Sequence, residues 1–346
     1  MGFRPSLVIA HLMIIGVMLA QCPDSVAAWG ADGHRITCHI AEPLLTPAAA
    51  EAVKSLLPEY ANGSLASLCT WPDDIRWMWK WMWTSPLHYI DTPDFYCNYD
   101  YERDCHDELM EKNMCVAGAI YNYSSQLLGY KAPSDLTTDA LLPLQQGQNS
   151  YNLTEALLFL AHYVGDIHQP LHVGFTGDLG GNTISVHWYT RKYNLHHVNS
   201  LTLQLIYLSF PTNYDVFSFP QPTSDLIALL DQIWDSEFIF RARDYMFGQD
   251  ITALTNAIYL NVTTNWLEES KEWAKCPNDT YPCPDPFASE SINLACKFAY
   301  RNATPGTTLQ DEYFLSRWPI VERRLAQGGV RLATLLNHLF SANASS

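Results

Sequence analysis

The sequence predicts a single, mainly α-helical domain that is cross-linked by disulfides and preceded by an export signal. Helical spacing of apolar residues dominates the chain, strand-like alternation is confined to one short run, and no linker or repeat divides it. Of the 346 residues, 48% are hydrophobic and 16% are charged, which is typical of a globular protein and excludes a disordered one.

Residues 1–28 have the pattern of a secretory signal peptide. Arg4 precedes an apolar run of 14 residues, and small side chains at Val26 and Ala28 favour cleavage before Trp29. That run is short for a signal anchor, which needs about 20 apolar residues to span the membrane, and no other stretch is long enough. We therefore expect a mature domain of residues 29–346 in the secretory pathway, either secreted or in a vacuolar or ER-derived lumen, with no membrane partner.

The regular elements follow in chain order. Ala48–Leu57 lies between two prolines, one suited to a helix start and one to its stop. Leu153–Val164 is apolar nearly all round, so we expect it at the centre of the fold. Thr183–Tyr189, after a Gly-Gly turn, alternates like a strand and predicts a short β-hairpin. Phe287–Tyr300 and Leu309–Leu339 are further long helices. On the last helix we expect three arginines to keep one face in solvent: Arg323, Arg324 and Arg331.

The cysteines and sequons agree with export. Nine cysteines less Cys22 of the signal leave eight, which predicts four disulfides among about 105 possible pairings. A cysteine-rich zinc site is the competing interpretation, but the other ligand-like side chains lie elsewhere. Seven Asn-X-Ser/Thr sequons also fit a glycoprotein: Asn62, Asn122, Asn152, Asn261, Asn278, Asn302 and Asn343.

The charge balance narrows the function classes. Asp and Glu outnumber Lys and Arg by 36 to 20, for a formal net charge of −16. This acidity argues against a protein that coats nucleic acid through a basic face. It is compatible with an enzyme that meets nucleic acid through bound metal cations, because the ions are then the largest local positive charges.

A histidine and aspartate cluster carries the chemistry. His162 and Asp166 are four residues apart on the predicted central helix, so they share a face. Pro170 ends that helix and allows His172 to turn back toward the same point. Imidazole and carboxylate are zinc ligands, and they are costly in an apolar core unless a metal or a partner satisfies them. A hydrogen-bonded network of buried side chains is the alternative interpretation.

Other segments supply further ligands. Asp73 follows Trp-Pro, His88 lies in a Pro-Leu-His-Tyr-Ile-Asp run, and His196 lies in an Asn-Leu-His-His run. Cleavage before Trp29 would create an amine five residues before His34, and an α-amino group with its own carbonyl can chelate a metal.

These motifs, with Gly180-Gly181-Asn182, resemble the trinuclear zinc nucleases of the S1/P1 family, and the plant bifunctional nucleases are the nearest branch. The resemblance implies a mainly α single-domain fold shared with zinc phospholipase C, and three zinc ions per chain. One zinc would lie between Asp73, His88, His162 and Asp166. A second would use Trp29, His34 and Asp166, and a third His172, His196 and a carboxylate four residues later. The implied disulfides are Cys38–Cys69, Cys97–Cys296, Cys105–Cys115 and Cys276–Cys283. His168 and His197 are not ligands in this scheme.

The resemblance also assigns roles around the metals. Asp91 would orient the attacking water or the base, and Arg76 would support the charge that develops on phosphorus. Tyr89 and Leu179, near Asn182, would hold a nucleobase, although packing in the core is the alternative for both. We therefore expect a monomeric endonuclease that cuts single-stranded DNA and RNA to 5′-phosphate products and also accepts 3′-nucleotides. A zinc phospholipase C-like phosphodiesterase is the alternative, and Asp235 in place of a Glu favours the nuclease.

The third zinc site departs from the family pattern. The residue four positions after His196 is Ser200, and the expected carboxylate is found only at Asp235. Removing residues 199–233, which contain no Lys or Arg, restores the spacing. We interpret 199–233 as an insertion, and a retained intron is a further hypothesis. Either the insertion loops out and Asp235 returns to the site, or the third zinc is lost and the protein is catalytically impaired.

Overall fold

The structure, a computed structural model, describes residues 29–130, 151–195 and 233–341. In these ranges it is mainly helical, as predicted. The α-helices are α1 Ala31–Ala41, α2 Pro47–Leu56, α3 Trp71–Ile75, α4 Tyr101–Asp104, α5 Val116–Leu127, α6 Leu153–Asp166, α7 Phe238–Met246, α8 Ile251–Thr263, α9 Leu267–Trp273, α10 Pro284–Leu294 and α11 Asp311–Ser341. None of the described helices is long and apolar enough to cross a membrane.

Helix α6 lies at the centre of the fold, as its uniformly apolar sequence predicts. Every residue from Ala156 to Asp166 is buried, and the helix packs against α1, α2, α5 and α11. Asn152 caps its start by accepting a hydrogen bond from the backbone N–H of Glu155 (3.2 Å), an arrangement worth about 1 kcal/mol. The helix continues two residues beyond the predicted end, so that Asp166 is its last residue.

Helix α11 confirms the long C-terminal helix, but the prediction of three solvent-facing arginines is wrong for two of them. Arg324 and Arg331 are buried, and each donates to the Glu290 carboxylate of α10 at 2.6 Å. Arg324 also donates through Nε to the carbonyl of His168 (2.9 Å). Of the three arginines, Arg323 alone keeps a partly exposed side chain. The buried pair is tolerated because a carboxylate and several carbonyls satisfy the two guanidinium groups.

The predicted hairpin is present and belongs to a small sheet. Strand β1, Ser185–Trp188, pairs antiparallel with β2, Arg191–Asn194, so that Val186 faces Tyr193. A third strand, β3, Thr308–Leu309, pairs parallel with β1. The sequence did not predict β3, because a two-residue strand has no period of its own and depends on a partner far along the chain.

Four disulfides brace the helices, and their pairing is the one the resemblance implied: Cys38–Cys69, Cys97–Cys296, Cys105–Cys115 and Cys276–Cys283. Cys97–Cys296 closes a loop of 199 residues, for which the chain-entropy model gives about 5 kcal/mol of stabilisation. Cys38–Cys69 ties α1 to the turn before α3. Helix α1 carries His34, and helix α3 carries Asp73.

The two ends of the described structure on either side of residues 196–232 lie next to each other. The backbone N–H of Trp234 donates to the carbonyl of Leu195 (3.2 Å). Trp234 is fully buried, and its indole N–H donates to the hydroxyl of Tyr313 (3.0 Å). Residues 233–237 form a π-helical turn that leads into α7. The predicted signal peptide and, apart from Ile233, the predicted insertion lie outside the described residues.

Candidate metal centre

Two buried histidines are fixed through Nδ1, so that Nε2 of His162 faces the carboxylate of Asp166 and Nε2 of His172 faces that of Asp235. His162 Nδ1 lies 2.8 Å from the carbonyl of Cys69, and His172 Nδ1 lies 2.8 Å from the carbonyl of His88. A carbonyl only accepts hydrogen bonds, so both Nδ1 atoms carry the proton and both Nε2 atoms present a lone pair. This is the tautomer that a metal-binding histidine adopts when its second nitrogen is fixed by an acceptor.

Three ligand atoms, from His88, His162 and Asp166, converge at the spacing of a zinc site, and Asp73 lies beside them. His88 Nδ1 lies 3.2 Å from His162 Nε2 and 3.0 Å from Asp166 Oδ2, and His162 Nε2 lies 3.4 Å from Asp166 Oδ2. Asp73 Oδ1 lies 3.6 Å from each of these two ring nitrogens. Zinc bonds of about 2.0–2.1 Å arranged tetrahedrally separate neighbouring ligand atoms by about 3.3 Å. The donor set and its spacing therefore fit zinc.

His34 lies beside this group on the opposite side of Asp166. Its Nε2 is 3.2 Å from Asp166 Oδ1 and 3.9 Å from Asp73 Oδ2, and its ring stacks on that of His162 with centroids 3.7 Å apart. Gly165 makes this approach possible, because a Cβ there would lie 2.8 Å from His34 Nδ1. Trp29 is fully buried five residues before His34.

The electrostatics of the group call for a cation. Burial and the neighbouring Asp73 raise the pKa of Asp166. Burial also opposes ionisation of Asp73, but Arg76 and His162 outweigh it and lower the pKa of that carboxyl. Burial, with His162 close by, lowers the pKa of both His34 and His88. Among the described residues, His34 Nε2 and Asp166 Oδ1 are buried without a hydrogen-bond partner. A divalent cation would satisfy these atoms and both carboxylates together.

A second pair of predicted ligands, His172 before the predicted insertion and Asp235 after it, lies close together. Asp235 is fully buried, and its Oδ1 lies 3.9 Å from His172 Nε2. The carbonyl of Asp235 accepts from the backbone N–H of Gly30 (2.9 Å), so the region of the mature terminus and the region after the insertion touch. His196, the third predicted member of this site, lies outside the described residues.

Arg76 contacts the cluster, and Asp91 follows Ile90, whose backbone N–H donates to the carbonyl of His172. The Arg76 side chain is almost fully buried, lies over the ring of Trp77, and places Nη1 3.3 Å from Asp73 Oδ1. Asp91 is half-buried, and burial, with Glu108 nearby, raises its pKa to about 6.

Tyr89 and Leu179 lie near the two ends of one paired segment. The backbone N–H of Ile90 donates to the carbonyl of His172 (2.8 Å), and that of Thr92 donates to the carbonyl of Gly174 (2.9 Å). This pairing ties the strand-like run after His88 to the run after His172. Tyr89 is half-buried at its start. Leu179 is half-buried beyond its other end and adopts a left-handed φ of 53°, held by Asn182 Nδ2, which donates to its carbonyl (2.6 Å). Such backbone strain in a non-glycine residue is common at binding sites.

Three predicted glycosylation sites have different settings. Asn122 and Asn152 are exposed, and Asn261 is half-buried with its Nδ2 donating to Glu322 (3.0 Å). Asn152 caps α6 through Oδ1, which leaves Nδ2, the atom that carries a glycan, outside the cap.

The sequence analysis identified His168 as a non-ligand but missed Gln169, which contacts a predicted ligand. Gln169 is fully buried and donates through Nε2 to Asp235 Oδ1 (2.5 Å). His168 is buried on the other side of the chain, where its Nδ1 lies 2.7 Å from the carbonyl of Val164 and its Nε2 accepts from Arg331 (2.9 Å). The only sequence signal for Gln169 was its position between Asp166 and His172.

Comparisons with known proteins agree with this site. The model of the S1/P1 nuclease family matches residues 29–201 and 224–341. Endonuclease 4 of Arabidopsis thaliana is 47% identical over 94% of this chain and 94% of its own length, and Endonuclease 2 of the same plant is 47% identical over 95% and 96%. Nuclease P1 of Penicillium citrinum is 28% identical over 90% and 97%. The interruption of the family match falls inside the predicted insertion.

Proposed function

This chain belongs to the S1/P1 nuclease family, and we propose that it is a secreted, zinc-dependent endonuclease of single-stranded DNA and RNA. It would release 5′-phosphate products and also hydrolyse 3′-nucleotides. The observation that carries the proposal is the convergence of His88 Nδ1, His162 Nε2 and Asp166 Oδ2 at separations of 3.0–3.4 Å, with Asp73 Oδ1 3.6 Å from both nitrogens. The relatives named endonuclease give the substrate class, and the signal-like residues 1–28 with four disulfides support export.

Nine residues would hold three zinc ions. Asp73, His88, His162 and Asp166 would bind the first. The amine and carbonyl of Trp29 would join His34 and the second oxygen of Asp166 at the second, and His172, His196 and Asp235 would form the third. Clustered zinc ions lower the pKa of bound water toward neutrality and stabilise negative charge on a phosphate.

Arg76 and Asp91 would act on the substrate directly. The guanidinium of Arg76, beside Asp73, can donate to a phosphate oxygen as the negative charge on that oxygen grows in the transition state. Asp91, with a pKa near 6, is partly protonated in mildly acidic solution. It can therefore accept a proton from a water or donate a hydrogen bond to a base.

Tyr89 and Leu179 would provide the preference for single strands. The half-buried ring of Tyr89 can hold a nucleobase by stacking, which is worth about 1–3 kcal/mol per base, and the half-buried Leu179 can add an apolar contact. Bases in a duplex are already stacked and cannot make these contacts. Asn182 would hold Leu179 in the required backbone conformation.

We also propose that the insertion loops out and leaves the third site intact. Support comes from the hydrogen bond between Trp234 and Leu195, which brings the two edges of the excursion together, and from the 3.9 Å separation of Asp235 and His172. The catalytically impaired form remains the outcome to be tested. We further propose that the protein acts as a monomer.

The test is hydrolysis of single-stranded DNA with bound zinc counted on the same samples. The chain beginning at Trp29 is expected to hold three zinc ions and to cut single strands faster than duplexes. Asp166→Asn removes a ligand shared by two ions, so it should lose zinc and slow hydrolysis. The expected loss of activity exceeds the 10–100-fold that is typical when a residue hydrogen-bonded to a metal ligand is replaced.

Asp104→Asn is the matched control. Asp104 is also fully buried but pairs with Arg103, so its loss should lower stability without releasing zinc. A full set of zinc ions in Asp166→Asn would contradict the proposal. Hydrolysis of phosphatidylcholine in place of nucleic acid would favour the phospholipase C-like alternative.

A further inference from the structure

Gln169 occupies a position between the two proposed ligands that follow α6. Its backbone N–H donates to the carbonyl of Asp166 (2.9 Å), and its carbonyl accepts from the backbone N–H of His172 (3.0 Å). The side chain is fully buried and contacts the carboxylate of Asp235. This one residue is therefore bonded to residues from all three of the proposed zinc sites.

The orientation of the Gln169 amide is fixed by its surroundings. Its Oε1 accepts from the backbone N–H of Leu171 (2.6 Å), where Gln169 is the cap of the short helix Pro170–Val173. A backbone N–H can only donate, so the oxygen of the amide must face Leu171 and the NH₂ group must face Asp235. The amide thus offers a donor to Asp235 Oδ1 at 2.5 Å, and reversing it would set two donors against each other at Leu171.

Asp235 depends on such tertiary contacts more than a ligand inside a continuous helix would. Where two ligands are four residues apart on one helix, the helix itself aligns them. In this chain Asp235 lies 39 positions after His196, so the register of one helix turn cannot align them. The backbone of Asp235 is instead held by Gly30 and the backbone of Trp234 by Leu195. For the side chain, the hydrogen bond from Gln169 sets which oxygen faces His172.

We propose that Gln169 is the positioning residue that holds the Asp235 carboxylate in its metal-binding orientation, in place of the missing helical register. The proposal rests on the proposed function in that Asp235 is taken as a zinc ligand. Outer partners of metal ligands generally contribute 10–100-fold to metal affinity, and we expect a loss of this size for one zinc ion when the donor is removed.

The experiment uses two variants and one control. Gln169→Leu removes both hydrogen bonds of the side chain. Gln169→Glu keeps the size of the side chain and its acceptor for Leu171, but it sets a second carboxyl group against Asp235 in place of the neutral NH₂ donor. Asn337→Leu is the control, because Asn337 also accepts from one backbone N–H, that of Thr46, and donates to one oxygen, the carbonyl of Leu44.

Zinc is counted after dialysis against graded chelator concentrations. Both Gln169 variants should bind one zinc ion 10–100-fold more weakly than the parent chain and keep the others, whereas Asn337→Leu should keep the full set. Wild-type zinc affinity in both Gln169 variants would overturn the proposal. If Gln169→Leu does not fold, Gln169→Glu decides alone.

A metal-independent measurement separates this proposal from the proposed function. In the chelated proteins, amide hydrogen exchange across residues 233–246 should be faster in the Gln169 variants than in the parent chain and unchanged in Asn337→Leu. A parent chain that binds no zinc would refute the zinc nuclease while leaving the exchange result to decide on Gln169. In that case unchanged exchange in both Gln169 variants overturns the positioning role.

Discussion

Replacing Gly165 by alanine tests whether the close approach of His34 to α6 serves metal binding. A Cβ at this position would lie 2.8 Å from His34 Nδ1 and 3.1 Å from its Cε1. The imidazole would have to retreat by at least about 0.6 Å to reach ordinary contact, which begins at 3.4 Å. Its ring is already stacked on His162 at 3.7 Å, so it cannot retreat without tilting away from Asp166.

The expected magnitudes separate stability from metal binding. Glycine to alanine inside a helix gains about 1 kcal/mol, while overpacking of a tight core costs about 1–3 kcal/mol. The free energy of unfolding of the metal-free protein should therefore fall by no more than about 2 kcal/mol. Metal sites tolerate only about 0.2 Å of ligand displacement, so zinc affinity should fall by at least tenfold, or about 1.4 kcal/mol.

The assay is a zinc titration followed on the metal-free protein, together with denaturant unfolding of the same sample. Gly328→Ala is the control, because its Cβ would meet the methyl group of Thr37 at 3.2 Å and not a proposed ligand. That variant should change stability with wild-type zinc affinity. Wild-type zinc affinity in Gly165→Ala would refute the assignment of His34 as a ligand.

Three further predictions concern charge and the chain terminus. Burial opposes ionisation of Glu290, but Arg331 and Arg324 outweigh it and hold its pKa at about 2. Its ionised form therefore stabilises the fold above pH 4.5, and this contribution is lost as the pH falls toward 2. Because 39% of the side chain is exposed, Glu290→Gln should cost only about 1–2 kcal/mol at pH 7 in urea unfolding, with a difference that shrinks below pH 4; an equal cost at pH 7 and pH 3 would contradict the pairing. Asp91 has the opposite effect on stability. Burial and Glu108 raise its pKa to about 6, so the free energy of unfolding falls as the pH rises from 4 to 6. Asp91→Asn should therefore stabilise the protein at pH 7 by about 1–3 kcal/mol and not at pH 4, while the pH profile of DNA hydrolysis loses its transition near 6; a retained transition would assign it to another group. A chain with extra residues before Trp29 should bind one zinc ion fewer and lose most activity, and full activity in such a chain would exclude the terminal amine as a ligand.

The sequence predicted those parts of the fold that local patterns encode. Helix α6 was predictable because Leu153–Val164 is apolar on every side, and α11 because its apolar spacing persists for about eight turns. The hairpin was predictable from alternation after a Gly-Gly turn. Strand β3 was not, because its two residues acquire their pairing only from β1.

The site was predicted through its ligands, and what was missed depends on long-range contacts. Histidine and carboxylate are recognisable by chemistry and spacing, so the positions of His88, His162 and Asp166 could be proposed. The burial of Arg324 and Arg331 could not, because their partner Glu290 lies on another helix. The role of Gln169 was also hidden, since its target, Asp235, reaches the site only after the insertion.

Gly30 donates to Asp235 directly after the predicted mature terminus at Trp29. The position of this terminus beside a proposed ligand determines at what stage a newly made chain can complete its metal cluster. Before cleavage, Trp29 carries a peptide bond in place of an amine, and a peptide nitrogen is a poor metal ligand. If the amine is one of the zinc donors, a newly made chain cannot complete its metal cluster until the signal has been removed. The cell's own RNA would then be protected by the order of events, with no inhibitor protein needed, because the last ligand is created only in the compartment into which the chain is exported.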